Sequence, residues 1–308
     1  MRVLLQADME GVSRITDPRE CWPVFPDYWQ TGRRKLTADV LAAARGLLDG
    51  DARRVVVKNG HGTGGWPNLL VDEFPEQIRM FGSDDRFEDF DAAFQLGMHA
   101  RCGTPDGFIS HTNVPEFRIR VNGALITESH DDAWTAGLPL LGITGNSALG
   151  RELDGSLEDT PFLDVQQSTS RVNTAPAHGD EVSSLSAIRA FAARCALDVG
   201  NSAVPRPPES VQVEISLRPD LADLVYTGSR MTRQSPSVLA VEGRDWRREV
   251  KPALGACIAA ALRPWSAAHG SLNLSSREHM QNQPPDDLAR LRSYINSWME
   301  TNYPAWED

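Results

Sequence analysis

The stretch VLLQADMEG, residues 3–11, starts as a short apolar run and ends with two acidic residues, Asp8 and Glu10. Such a run predicts a buried strand whose carboxyl end carries the two carboxylates. The segment Leu36–Leu48 has the apolar spacing of a helix, and Arg54–Lys58, RVVVK, predicts a second strand. This alternation continues with a short helix expected within 68–81 and a third strand over Phe90–Leu96, up to about residue 144. The sequence therefore predicts an α/β fold in three layers, α/β/α, around a mostly parallel sheet.

The pattern changes beyond Pro176, where a long helix is predicted, followed by short strands and a last helix over Lys251–Leu262. This order is typical of a second, smaller α/β lobe. The remaining residues contain four prolines, and a helix is predicted near Asp286–Met299. We therefore predict three parts: a main α/β domain over 1–175, a smaller α/β lobe over 176–262, and a C-terminal extension over 263–308.

Composition excludes several classes of protein. The 308 residues contain 31 Lys and Arg against 42 Asp and Glu, a formal net charge of -11, which disfavours a nucleic-acid partner. No run of 18 apolar residues occurs, so we expect no membrane span, and the first residues resemble a strand rather than a signal peptide. The four cysteines are scattered, which is typical of reduced thiols in a cytoplasmic protein.

Polar side chains follow the predicted strands at the points where the strands end. Ligands of open α/β sheets bind at the carboxyl ends of the strands, so these side chains are expected to meet at one edge. Imidazoles and carboxylates together suit one or two borderline divalent ions such as Zn²⁺, and two ions are a common hydrolytic device. The candidate ligands are Asp8, Glu10, His61, His99 and Glu128.

The loop GHGTGG, residues Gly60–Gly65, leaves a different function open. It matches the glycine pattern of a dinucleotide-binding loop, so a nucleotide-binding oxidoreductase is an alternative. That pattern should lead directly into a helix, but Trp66 and Pro67 follow here, and an imidazole at His61 has no role in it. Glycines that let the backbone bend around a metal-bound histidine explain the loop better.

Five ordered motifs together resemble a known family. Their order and spacing along residues 1–262 are similar to those of the zinc D-aminopeptidases encoded with dipeptide-transport operons, and the extension after about Arg263 is additional. The motifs are ADMEG at 7–11, NGHG at 59–62, GMHA at 97–100, GFISHT at 107–112 and the pair Asn122-Gly123 followed by Glu128.

The resemblance implies a metallohydrolase with two zinc ions per subunit. It implies that the five candidate ligands hold these ions, that a metal-bound hydroxide attacks an amide, and that His111 of the HT motif is catalytic. It also implies a homo-oligomer, a decameric ring with its active sites inside. The implied substrates are short peptides or amides with an amino-terminal D-residue, such as D-Ala-D-Ala.

Three positions depart from the family pattern. Thr127 replaces the usual glycine before the last ligand, Asp132 replaces an asparagine, and Asn146-Ser147 replaces acidic residues. These changes suggest a substrate other than D-Ala-D-Ala, and Asp132 is a candidate partner for the amino group of the substrate. A ring-forming binding protein without catalytic activity is a further alternative.

Overall fold

The computed structural model describes most of the chain. The described residues are 1–62, 67–114, 117–217, 219–223, 225 and 231–261, with 289, 292, 293, 295, 296 and 299 in the extension. Those six residues of the extension are helical, whereas its aromatic residues Tyr294, Trp298, Tyr303 and Trp306 lie outside the described part. Over the described residues, no helix combines the length and apolar character that crossing a membrane requires.

Twelve strands and six α-helices occur in the described ranges. The helices, in chain order, are α1 (Pro26–Asp49), α2 (Glu128–Ala136), α3 (Ser147–Gly150), α4 (Glu181–Leu197), α5 (Pro219–Ala222) and α6 (Lys251–Ala261). The strands are β1 (Arg2–Ala7), β2 (Arg54–Asn59), β3 (Ile78–Met80), β4 (Ala92–Met98), β5 (Arg118–Val121), β6 (Ala124–Leu125), β7 (Leu140–Asn146), β8 (Phe162–Ser170), β9 (Asn173–Pro176), β10 (Val211–Ser216), β11 (Met231–Ser235) and β12 (Val238–Gly243).

The larger sheet has seven strands in the order β3-β2-β1-β4-β7-β8-β9. All neighbouring pairs are parallel except β8 with β9 at one edge. The chain passes from β1 outward to β2 and β3, then returns to the other side of β1 as β4. This reversal of direction lies between β1 and β4, which is where open α/β sheets place their ligands.

Helices cover both faces of this sheet, so the predicted three-layer α/β/α class is confirmed. Helices α1 and α4 pack together on one face, over a core that contains Val3, Leu5 and Phe94. Helix α2 packs against β4 on the opposite face, where Leu4 and Ala133 belong to a separate buried cluster. Buried side chains alternate between the two faces along β1, as expected for a strand covered on both sides.

The smaller sheet has five antiparallel strands in the order β11-β12-β10-β5-β6, and α6 shares its buried core. Strands β5 and β6 come from residues 118–125, while α4, at 181–197, packs on the larger sheet. The predicted boundary at residue 175 therefore does not coincide with the division between the sheets. Sequence periodicity cannot show which sheet a strand joins, because that depends on long-range pairing.

Several elements differ from the sequence-based expectation. Helix α1 begins at Pro26, ten residues before the predicted start, because its first turns carry polar residues that lack an apolar period. Strands β3, β8 and β9 were not predicted; β8 and β9 are mostly polar, and β3 has only three residues. A helix expected within 68–81 is a 3₁₀ turn at Val71–Glu73 followed by β3.

Two glycines let the backbone after β1 pass very close to the end of β4. Gly11 donates its N–H to the carbonyl oxygen of Gly97 at 2.8 Å, and a Cβ on Gly11 would lie 1.9 Å from the carbonyl oxygen of Met98. Gly97 has a φ of +73°, and a Cβ there would lie 2.3 Å from the carbonyl oxygen of Asp8. Side chains at these positions would push the segments after β1 and β4 apart.

We expect Gly11→Ala to lower the free energy of unfolding by about 1–3 kcal/mol, because the added methyl group overpacks a backbone contact. Chemical denaturation followed by circular dichroism measures the change. Gly255→Ala is the matched control, because a Cβ at this position in α6 meets nothing within 4 Å. A Gly11→Ala protein as stable as Gly255→Ala would contradict the close approach.

Candidate metal centre

Four of the predicted ligands lie at the carboxyl ends of three adjacent strands. Asp8 and Glu10 follow β1, His61 follows β2, and His99 follows β4. The ladder extends past the ends of the strands, because Asp8 donates its N–H to Leu96 and Gly60 donates to Ala7. All four side chains are buried. The order of the strands thus brings together residues that are far apart in the sequence.

Glu128 joins the same edge from the first turn of α2. The side chain of Thr127 accepts a hydrogen bond from the backbone N–H of His130, and His130 Nδ1 accepts one from the backbone N–H of Thr127. This reciprocal cap fixes where the helix starts. The backbone N–H of Asn113 donates to Glu128 Oε1. Glu128 is therefore held in place by its helix and by the loop that carries His111.

Asp8 lies between two imidazoles. One of its carboxylate oxygens is 3.4 Å from His61 Nδ1, and the other is 3.2 Å from His99 Nε2. Glu10 approaches His61 Nδ1 from a second direction at 3.1 Å. The two oxygens of Asp8 thus face nitrogen atoms of two different imidazoles.

Glu128 makes the corresponding contacts on the other side of His99. Its Oε1 is 3.7 Å from His99 Nε2 and 3.6 Å from His111 Nε2. The rings of His99 and His111 are stacked, with centroids 4.0 Å apart and an interplanar angle of 12°. His111 thus belongs to the same cluster as the five predicted ligands.

Each of the three histidines uses its second ring nitrogen to contact a backbone carbonyl. A neutral imidazole that donates from one nitrogen presents a lone pair on the other, and this hydrogen bond is the usual support of a metal-ligating histidine. In all three cases the remaining nitrogen faces carboxylates. The pairs are His61 Nε2 with Cys21 O at 2.8 Å, His99 Nδ1 with Ala100 O at 2.9 Å, and His111 Nδ1 with Ile109 O at 2.8 Å.

Two buried atoms in the cluster make no hydrogen bond to the described protein groups, namely His99 Nε2 and Glu10 Oε1. Buried polar atoms normally have partners, so a missing partner indicates a ligand or an ion. Donor atoms lie within 4.8 Å of one another in two groups, Asp8 with Glu10 and His99, and His99 with His111 and Glu128. Nitrogen and carboxylate oxygen are ligands that Zn²⁺ prefers, so the residues present fit a metal.

The electrostatics of the cluster also favour a cation. Burial on its own lowers the pKa of His61 and His99, but the facing carboxylates outweigh it. They raise the pKa of His99 to about 10 and hold the pKa of His61 well above its usual range. Burial raises the pKa of Glu128 to about 8. For His111, burial lowers the pKa, and the charge of His99 lowers it further. Buried carboxylates here require positive charge beside them.

The loop that carries His111 has an unusual backbone. Ile109 has a φ of +43° and Asn113 a φ of +61°, and the left-handed region is costly for a β-branched residue such as Ile109. The side chain of the buried Arg171 donates to the carbonyl of Ser110, and Ile109 donates its N–H to the carbonyl of Arg171. These contacts hold the turn in which the Ile109 carbonyl reaches His111 Nδ1.

Asp132, predicted to bind the substrate, lies on α2 one turn after Glu128. Its side chain is half-buried, and its backbone carbonyl is 3.5 Å from Gln6 Nε2. Burial raises the pKa of Asp132, as does the charge of Asp8, while Lys58 and Lys251 act in the opposite direction. Asp132 is thus close enough to the cluster for its charge to act there, although it is not part of either donor group.

The dinucleotide-binding alternative finds no support in the described part of the glycine loop. Residues 60–62 do not open into a helix, and the next described α-helix after β2 is α2. His61 points at Asp8 and Glu10, as a ligand would. Residues 63–66, which include the rest of the loop, lie outside the described residues.

The sequence did not indicate two supporting residues, Gln166 and Arg171, both buried and both on or just after β8. Their side chains hold the backbone of the loops that carry Glu10 and His111. A glutamine or arginine in a polar strand carries no motif. The signal that could have found them is their position in a strand whose neighbours alternate between buried and exposed.

Comparisons with known proteins agree with this geometry. A family model described as D-aminopeptidase, peptidase family M55, matches residues 1–253. A comparison with curated protein sequences finds no significant match. Among solved structures, the chain is similar in fold to the "Zn-dependent D-aminopeptidase DppA from Bacillus subtilis, a self-compartmentalizing protease", with a TM-score of 0.74 and 19% identity over 85% of this chain and 98% of that one.

The family match covers most of the chain, including every residue of the cluster described above. Members of this family are metal-dependent aminopeptidases, which agrees with a buried set of imidazole and carboxylate donors. The chain belongs to the D-aminopeptidase family M55, and it is a metallohydrolase.

Proposed function

We propose that this protein is a zinc-dependent aminopeptidase or amidase that releases an amino-terminal amino acid, in the D-configuration, from short peptides or amides. The observation that carries the proposal is the convergence of three carbonyl-anchored imidazoles on three carboxylates, two of them buried and one partly exposed, at the point where the sheet reverses direction. The family match and the zinc-dependent neighbour of similar fold support the same activity.

The ligands of the proposed site are Asp8, Glu10, His61, His99 and Glu128. The two oxygens of Asp8 face different imidazoles, which supports a site for two zinc ions per subunit that Asp8 would help to hold. Bound zinc would lower the pKa of a water molecule towards neutrality from about 15.7 and polarise the scissile carbonyl. Burial of Asp8, Glu10, His61 and His99, with Glu128 only partly exposed, excludes most competing water and strengthens the electrostatic interactions inside the site.

His111 is proposed as the general acid–base group. Because its Nδ1 donates to the Ile109 carbonyl, its Nε2 is the atom that can accept a proton and later pass it to the leaving amine. That nitrogen faces Glu128 at 3.6 Å and is therefore at the edge of the cluster. The left-handed turn at Ile109 holds the ring in this orientation.

The proposal also covers how the substrate is recognised, how the subunits assemble and where the protein is located. An aminopeptidase must recognise a free amino group, and Asp132 is the proposed anionic partner because it lies on α2 one turn after Glu128, outside the donor groups. The neighbour of similar fold is described as self-compartmentalizing, which supports a homo-oligomer, and we propose a decameric ring in the cytoplasm. Neither a nucleic acid nor a membrane is a proposed partner.

Dialysis against a chelator should abolish the release of amine from D-aminoacyl amides, and added Zn²⁺ should restore it, because the charged ligand cluster is inactive without its ions. A parallel set of L-aminoacyl amides tests the proposed configuration. Activity that survives complete metal removal would contradict the mechanism. Absence of turnover on both sets, with zinc bound, would favour the binding-protein alternative.

His111→Ala should lower kcat by about 10²–10⁴-fold through loss of general acid–base catalysis, with zinc content near that of the unmodified protein. His61→Ala should instead lose zinc, measured by elemental analysis, because it removes a ligand. His178→Ala is the control, since His178 contacts the carbonyl of Asp164 rather than the cluster. Loss of zinc in His111→Ala would make His111 a ligand.

Asp132→Asn keeps the shape of the side chain and removes its charge. We expect KM for a D-aminoacyl amide to rise about tenfold, since a hydrogen bond to a charged group contributes roughly 1.5–3 kcal/mol. kcat and zinc content should change little. Asp154→Asn, at an exposed carboxylate after α3, is the control. An unchanged KM would show that Asp132 does not bind the amino group.

A further inference from the structure

Gln166 is a completely buried side chain on β8, far in sequence from the metal ligands. Its Nε2 lies within hydrogen-bond distance of three backbone carbonyls in the segment after β1. The distances are 3.0 Å to Glu10 O, 3.2 Å to Val12 O and 2.9 Å to Ile15 O. One side-chain amide thus contacts most of the segment that carries Glu10.

That segment has no regular structure to hold it. Residues 8–15 are turns between β1 and the 3₁₀ helix at Pro18–Cys21, so several of their carbonyls have no strand or helix partner. A buried carbonyl left without a donor costs about 1–3 kcal/mol. The two N–H groups of the Gln166 amide are shared among these three carbonyls, of which Val12 O also accepts the backbone N–H of Ile15, and so Gln166 favours one conformation of the segment.

The local geometry of β8 brings this side chain to the segment. The pairing of β7 with β8 shifts between Gly145 and Asn146, so that Asp164 pairs with Gly145 but Gln166 pairs with Asn146. An irregularity of this kind bends a strand and turns a side chain in a new direction, and such bulges are frequent beside active sites. The neighbouring Gln167 is exposed.

Glu10 is the ligand whose position depends most directly on this contact. Its carbonyl accepts from Gln166, while its carboxylate faces His61 Nδ1 at 3.1 Å and has one oxygen without a hydrogen-bond partner. A shift of the backbone at Glu10 would move that carboxylate relative to His61. Ser13 is fixed separately by its hydrogen bonds to Asp39, and Gly11 by its hydrogen bond to Gly97, whereas the carbonyl of Glu10 itself is held by Gln166.

We propose that Gln166 is a positioning residue for the metal centre: its side-chain amide holds the backbone of residues 10–15 so that the Glu10 carboxylate meets His61 and the bound ion. This proposal rests on the proposed zinc site. It assigns to β8, which contributes no ligand, the role of fixing a ligand that follows β1.

Two substitutions of Gln166 and one matched control test the proposal. Gln166→Met keeps the length of the side chain without a donor, and Gln166→Glu keeps its shape but replaces the amide by an acceptor. Gln167→Met makes the same change one residue further on, at an exposed position of the same strand. Zinc affinity is measured by competition with a coloured chelator, and melting temperatures are measured with and without zinc.

Loss of a group that orients a ligand typically weakens metal binding by about 10–100-fold, so we expect that weakening in both Gln166 variants and none in Gln167→Met. The rise in melting temperature on adding zinc should shrink in the same variants. kcat at saturating zinc should fall less than the affinity for zinc, because His111 is untouched.

These measurements distinguish failure of the proposed function from failure of the proposed role of Gln166. An unmodified protein that binds no zinc would overturn the proposed function itself. Zinc bound by the unmodified protein and equally tightly by Gln166→Met and Gln166→Glu would overturn the role of Gln166 alone. If neither variant folds while Gln167→Met does, Gln166 stabilises the whole fold and the positioning role is wrong.

Discussion

The structure depends on the close approach of two backbones where the larger sheet reverses direction. Gly11 and Gly97 have no side chains to separate the segments after β1 and β4, and one hydrogen bond of 2.8 Å joins them. Because Asp8 and His99 lie beside these glycines, the same contact sets the distance between the two ligands. The parallel sheet places the ligands along one edge, and this backbone contact brings two of them close enough to bind the same ion.

Buried charge is the second constraint, and it explains why the cluster is surrounded by backbone contacts. Several carboxylates without counter-charges would be too costly inside the protein, so imidazoles and the ions they bind must accompany them. Each imidazole is anchored to a carbonyl, and the segment after β1 is anchored by Gln166. The protein thus fixes the ligands before an ion arrives, and less free energy is lost in ordering them on binding.

The sequence predicted the fold class and the cluster because both follow from local patterns. Apolar runs marked β1, β2 and β4, and polar residues at their ends had to meet once those strands were parallel neighbours. The supporting residues could not be predicted in this way. Gln166 and Arg171 act through single side chains that reach distant carbonyls, and β5 pairs with β10 across about ninety residues. Such contacts depend on how the elements pack, which no local period encodes.

The residues that depart from the family pattern differ in what their side chains contact. Thr127 is buried and caps α2, and Asn146 caps α3 by accepting from the N–H of Leu149. Ser147 accepts a hydrogen bond from the N–H of Ser168 on β8. Thr127 and Asn146 thus stabilise the first turns of two helices, and Ser147 binds the backbone of β8. Because these side chains have structural roles, they do not account for a change of substrate. Asp132 differs, because it lies on α2 one turn after Glu128 and no described hydrogen bond occupies its carboxylate. The substrate preference of this chain, where it differs from that of its family, is therefore expected to depend on α2 rather than on the turn after β7.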